Sequence, residues 1–345
     1  MKKTAIATLI TAALTSATPA YASDVVAELN AMKARIAQLE AKLAEQQETI
    51  EQQAASPASA GGFADNVSVS GALEILASHS EEESGNSASD IEVDTFELAV
   101  EAQLNELVAV SSLLEYNSDD DGIELSEAYA VIGNDETPAT LTVGKAPIPF
   151  AAINDAGWTS PLTDDFFDIT EGMAMASFGT GPLAADVFIY NNDEGDSVNT
   201  YGLNLSLEAA EGLTLGAGYA NDLQDDANDL TDLTSEAADA WRLNALLETG
   251  PFAFSAEFIE VDGSDFDPQF MALNAAYNTE LFGAEGQVYL GYSDIDDSAA
   301  DAERTVLGME RAFGENTSVV AEYVRDEDNS GAETDTLNLV LVTEF

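Results

Sequence analysis

The sequence predicts an all-β protein: an antiparallel transmembrane β-barrel of about 16 strands, with a short N-terminal α-helical coiled coil before it. Three observations support this prediction. From residue 66 onward, apolar and polar residues alternate in one segment after another. The connections between these segments alternate between short and long. The chain of 345 residues ends inside an alternating segment, on Phe345.

Residues 1–22 are typical of a secretory signal peptide. Lys2 and Lys3 precede the apolar stretch TAIATLITAAL, and Ala20-Tyr21-Ala22 fits a small-x-small cleavage site. The apolar stretch is shorter than the ~20 residues of a membrane helix, although a retained anchor is the alternative interpretation. We expect a mature chain that begins at Ser23, outside the cytoplasm.

A heptad pattern predicts a coiled coil over residues 23–53. Two sets of positions form the seam: Leu29, Ile36, Leu43 and Ile50, and Val25, Met32, Leu39 and Gln46. Such a seam is buried against another helix, so we expect a homo-oligomer, and mixed Leu and Ile favour a trimer. A single helix lying on the following domain is the alternative. Residues 54–64, rich in small residues, are the predicted linker.

Period-two alternation then continues over residues 65–345. In TFELAVEAQL, Phe96, Leu98 and Val100 face one way, while Glu97 and Glu101 face the other. Segments of about 10 residues separated by short turns and longer acidic loops are typical of an outer-membrane barrel surrounded by lipid. A soluble β-sandwich is the alternative, but it needs neither a secretory signal nor long loops at one end. The expected location is the outer membrane of a Gram-negative bacterium, with the coiled coil in the periplasm.

The last segment, TDTLNLVLVTEF, explains why the chain can finish within a strand. In a closed barrel the last strand pairs with the first, so no edge is left exposed. The terminal Phe345 resembles the recognition signal of bacterial outer-membrane barrels, which implies the barrel-assembly machinery as a partner.

Composition excludes several kinds of function. There are 10 Lys and Arg against 65 Asp and Glu, for a net charge of −55, and this charge repels nucleic acid. The chain has no cysteine and one histidine, His79, which argues against thiol chemistry and histidine metal sites. We expect no enzyme activity, no cofactor and no resident metal. The segment NSDDDGIE at residues 117–124 begins like a calcium loop but has Ala128 where the bidentate Glu belongs; loose divalent-cation binding stays open.

The predicted inward faces are acidic. Charged residues expected on the lumen side are Glu97, Glu101, Glu115, Arg242, Glu248, Glu285, Arg304 and Glu310. A barrel of 16 strands encloses a water-filled channel, and a lining of carboxylates favours cations over anions. The alternative is that these residues only keep the interior wet.

Residues 145–170 form the third long loop, which is more aromatic than the other loops. We expect this loop to fold into the lumen and narrow it, with a constriction built from Lys145, Phe150, Trp158, Phe166 and Phe167. Its aromatics would contact a bulky solute, and Arg242 and Arg304 would offer a basic point to an anionic ligand. A loop that contacts a neighbouring subunit is the alternative.

Several stretches resemble the LbtU-type siderophore porin family. They are VSVSGALEILASHSEE at the first strand, LSEAYAVIGN before a short turn, LTVGKAPIPF at the fifth strand, and SPLT and ITEG in the long loop. The resemblance spans nearly the whole chain, but Ala151 and Ser160 depart from the family pattern of Pro-Phe-Gly and Asp-Pro-Leu-Thr. It implies passive uptake of an iron–siderophore. A general cation-preferring diffusion porin and a structural barrel anchored by its coiled coil are the alternative functions.

Overall fold

A computed structural model describes residues 66–118, 122–134, 136–150, 157–191, 198, 200–221, 223, 238–263, 267–296 and 301–345. The predicted signal peptide (1–22), coiled coil (23–53) and linker (54–64) lie outside the described residues. Residues 119–121, the centre of the calcium-like segment, lie outside them as well.

The described chain forms a closed antiparallel barrel of sixteen strands, as predicted. The strands are β1 (Val67–Glu82), β2 (Ser87–Asn105), β3 (Val108–Asn117), β4 (Gly122–Ile132), β5 (Thr140–Pro147), β6 (Thr170–Thr180), β7 (Leu183–Tyr190), β8 (Thr200–Ala210), β9 (Leu213–Ala220), β10 (Asp239–Thr249), β11 (Phe252–Asp262), β12 (Gln269–Leu281), β13 (Ala284–Asp296), β14 (Ala302–Ala312), β15 (Thr317–Glu327) and β16 (Glu333–Glu344). One short helix, α1 (Leu162–Phe167), lies between β5 and β6. No described helix is long and apolar enough to cross a membrane.

The two faces of the wall differ as the alternation predicts. In β16, Leu337, Leu339 and Leu341 are exposed, whereas Val340 between them is fully buried. Because successive side chains of a strand point to opposite faces, the exposed leucines form the outward face, which suits lipid. Val340 lies on the inward face.

The barrel closes between its first and last strands. Glu74 of β1 pairs with Val342 of β16, and the backbone N–H and carbonyl of Gly71 both bond to Phe345, each at 3.0 Å. A Cβ atom on Gly71 would lie 2.6 Å from the Phe345 ring, so the glycine makes room for the terminal aromatic. This pairing leaves no open edge at the seam.

Strand pairing locates two of the connections. In the polar stretch 80–89, Ser80 pairs with Ala88 and Glu81 with Ser87, so only residues 83–86 connect β1 to β2. Backbone pairing continues there although the side chains are polar. The short turn between β12 and β13 lies at Phe282 and Gly283, both with positive φ.

Candidate functional site: the loop across the lumen

The loop between β5 and β6 crosses the interior of the barrel. It leaves β5 and returns to β6, yet Leu162 N–H donates to Ser293 Oγ of β13 at 3.0 Å, and Arg304 of β14 bonds to Ser160 O at 2.9 Å. Strands β5 and β13 are eight apart in a ring of sixteen. A segment that starts at β5 therefore reaches the opposite wall through the lumen.

Glu322 of β15 holds the tip of this loop. Its carboxylate accepts hydrogen bonds from Trp158 N–H at 2.7 Å, Thr159 N–H at 3.1 Å and Thr159 Oγ1 at 2.6 Å. Tyr289 Oη of β13 donates to the same carboxylate at 2.5 Å. Glu322 is 3% exposed, and burial of a carboxylate is tolerated where several donors satisfy it. A Cβ atom on Gly308 would lie 2.4 Å from the Tyr289 ring, so this glycine gives the ring its space.

Trp158 extends this contact to the first strand. Its indole Nε1–H donates to Glu74 Oε2 of β1 at 2.7 Å. The side chain packs beside a buried apolar group on the inward face, which includes Val320, Val324 and Val340. The predicted loop residue Trp158 thus lies against β1 and β15.

Arg304 joins the loop to the wall with two nitrogens of its guanidinium group, Nε and Nη1. Nη1 contacts Asp165 Oδ2 of α1 at 2.8 Å, and Nε contacts Asp326 Oδ1 of β15 at 2.8 Å. Together with the bond to Ser160 O, this pairing uses the charge within the protein. The predicted role of Arg304 as a basic point for an anionic ligand is not supported by this geometry.

Arg242 is also paired, and it lies deeper. It is 3% exposed, its partner Glu257 is 4% exposed, and Nε lies 3.4 Å from Glu257 Oε1. Nη2 donates to Asn204 Oδ1 and Asn244 Oδ1, each at 3.3 Å. A guanidinium so buried and neutralised is not available to a solute, so its prediction as a ligand-facing base is corrected in the same way.

The base of the loop is an aromatic cluster that is closed to solvent. Phe150 and Phe167 are each 1% exposed; their ring centroids lie 5.7 Å apart. Phe167 meets Phe270 of β12 edge to face at 4.9 Å, and Phe166 lies 5.2 Å from the same ring. The sequence suggested aromatics that contact a solute; instead, Phe150 and Phe167 fasten the loop to the wall, and Phe166 remains partly exposed.

Lys145 lies apart from this arrangement. Its neighbours Thr142 and Ala146 are buried on the inward face, whereas Lys145 is exposed, and its Nζ donates to Leu125 O at 3.4 Å. The strand period places it on the outward face. Its prediction as part of the constriction is therefore corrected.

Carboxylates lie on β2 and β3, which contribute no residue to the buried group at the base of the loop. Glu97 of β2 is the cross-strand partner of Glu115 of β3, and Glu101 is the partner of Ser111. Asp168, which ends α1, approaches these carboxylates: burial raises its pKa, and the charges of Asp164 and Glu115 raise it further.

The other predicted lumen carboxylates lie toward the end with the short turns. Glu285 and Glu310 line a recess of about 610 Å³ with Glu280, and Gln287 Nε2 donates to Glu310 Oε2 at 3.2 Å. Glu248 is exposed one residue before the end of β10. Among the described residues, no group of three or more acidic or histidine side chains is arranged to hold a metal ion.

Comparison with known proteins identifies the family. The model of the Gram-negative porin family matches residues 52–331. The chain belongs to the Gram-negative porin family. This porin is therefore a diffusion channel of the outer membrane and not an enzyme. The narrower resemblance to siderophore porins stays a prediction.

Solved structures agree on the fold at low sequence identity. An anion-selective porin from Comamonas acidovorans is similar with a TM-score of 0.61 and 13% identity, over 81% of this porin and 99% of that chain. OmpF of Salmonella typhi, in complex with daunomycin, gives 0.60 and 13% over 81% and 98%. The trimer form of OmpT from Vibrio cholerae gives 0.59 and 11% over 81% and 100%. No curated protein matches this porin.

Sequence reasoning missed the residues that hold the loop. The sequence pattern assigns no role in holding the loop to Glu74, Tyr289 or Glu322, and it does not predict the helix α1. One signal was available: Glu322 lies between Val320 and Val324, which share its face and are buried, and a lone acid on an apolar face needs donors.

Proposed function

We propose that this porin passes cations and cationic solutes, through an acidic passage beside the inward loop. One observation carries the proposal. Both inward arginines are neutralised by carboxylates, whereas Glu97, Glu115 and Asp168 have no cation at ion-pair distance within the described part of the chain. A water-filled passage lined by uncompensated carboxylates attracts cations and repels anions.

The course of the loop supports a passage displaced to one side. The aromatic cluster, with Phe150, Phe167 and Phe270, belongs to a buried group that includes inward residues of β5 to β7 and β9 to β13, and Tyr129 of β4 packs against it. Glu97 and Glu115 lie on β2 and β3, which contribute no residue to this group. We infer that solutes pass along β2 and β3, with Asp168 on the loop facing Glu115 on the wall.

A planar bilayer under a KCl gradient tests this proposal. The reversal potential is expected to show potassium passing faster than chloride, and the pair Glu97→Gln and Glu115→Gln is expected to reduce that preference. The pair Glu106→Gln and Glu136→Gln is the matched control, because it removes the same two charges from short turns outside the lumen. Anion preference of the unaltered protein at neutral pH would exclude an acidic passage.

The narrower proposal is that the solute is an iron–siderophore, taken up passively. It is supported by the resemblance of the first strand, the fifth strand and the loop to siderophore porins. The paired arginines argue against a basic contact for the ligand. Entry of the ligand would therefore depend only on its size and on its charge relative to the acidic passage. Growth on iron-limited medium, with and without the protein, tests it: equal growth, together with potassium preference in the bilayer, would leave a general cation-preferring porin.

Two further proposals concern assembly. Residues 23–53 join copies of the chain in the periplasm, and a homo-oligomer is supported by the trimer form of a similar structure. Deleting residues 24–53 is expected to leave an inserting barrel that dissociates in mild detergent, as measured by native mass; an unchanged subunit count would exclude this role. Phe345 is proposed as the signal for the barrel-assembly machinery, so Phe345→Ala is expected to slow insertion.

A further inference from the structure

The turn between β12 and β13 holds an aromatic residue in an unfavourable backbone conformation. Phe282 has φ of 51° and Gly283 has φ of 81°, the pattern of a tight hairpin turn in which Asn or Asp usually takes the first place. Left-handed φ costs a bulky side chain free energy. Phe282 is also 85% exposed, so no packing within the described chain repays that cost. A strained backbone conformation that no contact within the protein compensates indicates a contact with an external partner.

Arg311 lies next to this turn and points the same way. Its Nε donates to Leu281 O at 3.1 Å and Nη2 to Phe282 O at 3.5 Å. The guanidinium lies over the ring of Phe313, 4.5 Å from its centroid. These contacts hold the guanidinium at the backbone of Phe282 and over the ring of Phe313, and both of these aromatic side chains are exposed, Phe313 by 64%.

The charge of Arg311 is not neutralised by the protein. No acidic side chain of the described residues lies within ion-pair distance of it, in contrast to Arg242, Arg304 and Arg325. The nearby carboxylates of Glu280, Glu285 and Glu310 belong to the recess on the inward face, and Glu315 lies in the turn that follows Phe313. An unpaired arginine is unusual in a chain with 65 acidic residues.

The surroundings of Arg311 are those of the membrane interface. Leu307 and Met309, on the same face of β14, are 53% and 41% exposed, while Gly308 between them lies on the inward face. The start of β1, at Val67, and the end of β16, at Glu344, lie at the same end of the barrel as the short turns. In outer-membrane barrels this is the periplasmic end. A ligand of Arg311 is therefore met at the level of the inner leaflet rather than in open water.

We propose that Phe282, Arg311 and Phe313 form a binding site for the phosphate group of an inner-leaflet phospholipid. Arg311 pairs with the phosphate through the guanidinium edge that the turn carbonyls leave free. The two rings lie beside the glycerol and upper acyl region, where aromatic side chains of membrane barrels are enriched. The lipid contacts of the Phe282 ring offset the cost of its backbone conformation.

Native mass spectrometry of the full-length protein in mild detergent tests the site, with phosphatidylglycerol as the probe and diacylglycerol of the same acyl chains as the phosphate-free probe. The protein is expected to retain phosphatidylglycerol in preference to diacylglycerol. Arg311→Gln is expected to lower that retention about fivefold, the effect of one arginine at a lipid surface. Arg325→Gln is the matched control, because that exposed arginine is already paired with Asp335 at 2.7 Å; it is expected to leave retention unchanged.

Several outcomes would overturn the site. These are equal retention by Arg311→Gln and the unaltered protein, equal retention of the two probes, or displacement of the lipid by millimolar inorganic phosphate. Phe282→Asn keeps the proposal testable if Arg311→Gln fails to fold. Asn accepts left-handed φ, so this variant is expected to unfold at higher denaturant while it retains less phosphatidylglycerol. Unchanged retention in a well-folded Phe282→Asn would also contradict the site.

Discussion

The tip and the base of the inward loop are held by different forces. At the tip, Trp158 and Thr159 donate hydrogen bonds to one buried carboxylate, Glu322. At the base, Phe150 and Phe167 are packed against Phe270 with almost no exposure. Hydrogen bonds have strict geometry but contribute only about 1.5–3 kcal/mol net when one partner is charged. Truncating a buried Phe costs about 3–5 kcal/mol. The base should thus keep the loop in the lumen, while the tip determines where the loop stops.

Removing the crossing segment tests both attachments at once and has the largest expected effect. Shortening residues 151–165 eliminates the tip and four of the six residues of α1, so the lumen widens. Single-channel conductance in a planar bilayer should rise several-fold, and large solutes should enter faster. Trp158→Ala should raise conductance less, because one side chain fills less of the lumen than a loop. Unchanged conductance after the deletion would mean that the loop does not limit the pore.

Breaking the base comes next. Phe167→Ala should lower the free energy of unfolding by about 3–5 kcal/mol, measured by urea titration of the protein in lipid vesicles. Phe166→Ala is the matched control, because Phe166 neighbours it and touches the same ring but is partly exposed. Equal losses in the two variants would show that burial at the base is not what fastens the loop.

Loosening the tip alone should change the channel more than the stability. Glu322→Gln removes the charge that accepts hydrogen bonds from Trp158, Thr159 and Tyr289, at a cost of about 1.5–3 kcal/mol. The loop end should then move, and open-channel current noise should increase. Glu310→Gln, on the neighbouring strand and the same face, should leave the current noise unchanged. Equal noise in both variants would show that Glu322 does not hold the tip of the loop.

The smallest expected effect is one of pH. Burial, with Asp164 and Glu115, raises the pKa of Asp168, so this carboxyl takes up a proton at a higher pH than an ordinary Asp near 3.9. As pH falls, the preference for potassium should begin to decline while the pH is still above 3.9, because protonation of Asp168 removes a negative charge from the passage. In Asp168→Asn this early part of the decline should be smaller in the reversal potentials, because only Glu97 and Glu115 remain in the passage, whereas Glu106→Gln should keep its full size. Identical pH curves for Asp168→Asn and the unaltered protein would place Asp168 away from the ion path.

The wall could be predicted from the sequence because its information is local. A strand repeats every two residues, so each segment reveals both of its faces and only the turns must be located. The same rule would have put Lys145 on the outward face, since Thr142 and Ala146 occupy the inward positions of β5. The place of Lys145 in the chain, next to the loop, favours the constriction, but its position in the two-residue repeat of β5 puts its side chain on the outward face.

The contacts of the loop could not be predicted in this way. Thr159 and Glu322 are 163 residues apart in the chain, and no local pattern joins them. Whether Arg304 faces a solute or pairs with Asp165 and Asp326 depends on the diameter of the closed barrel and on the path of the loop. The sequence therefore predicted an inward aromatic loop but not which of its residues would be buried or paired.

The distance along the chain between the loop tip and Glu322 also determines an order of events during folding. The loop follows β5, but its attachments lie on β1 and on strands β12 to β15, so it cannot dock until the far wall is in place. Closing so long a segment is entropically expensive and is repaid only once those strands have paired. A barrel caught just after closure would thus be a wide, unselective pore, and the selective channel forms only when Glu322 receives the tip.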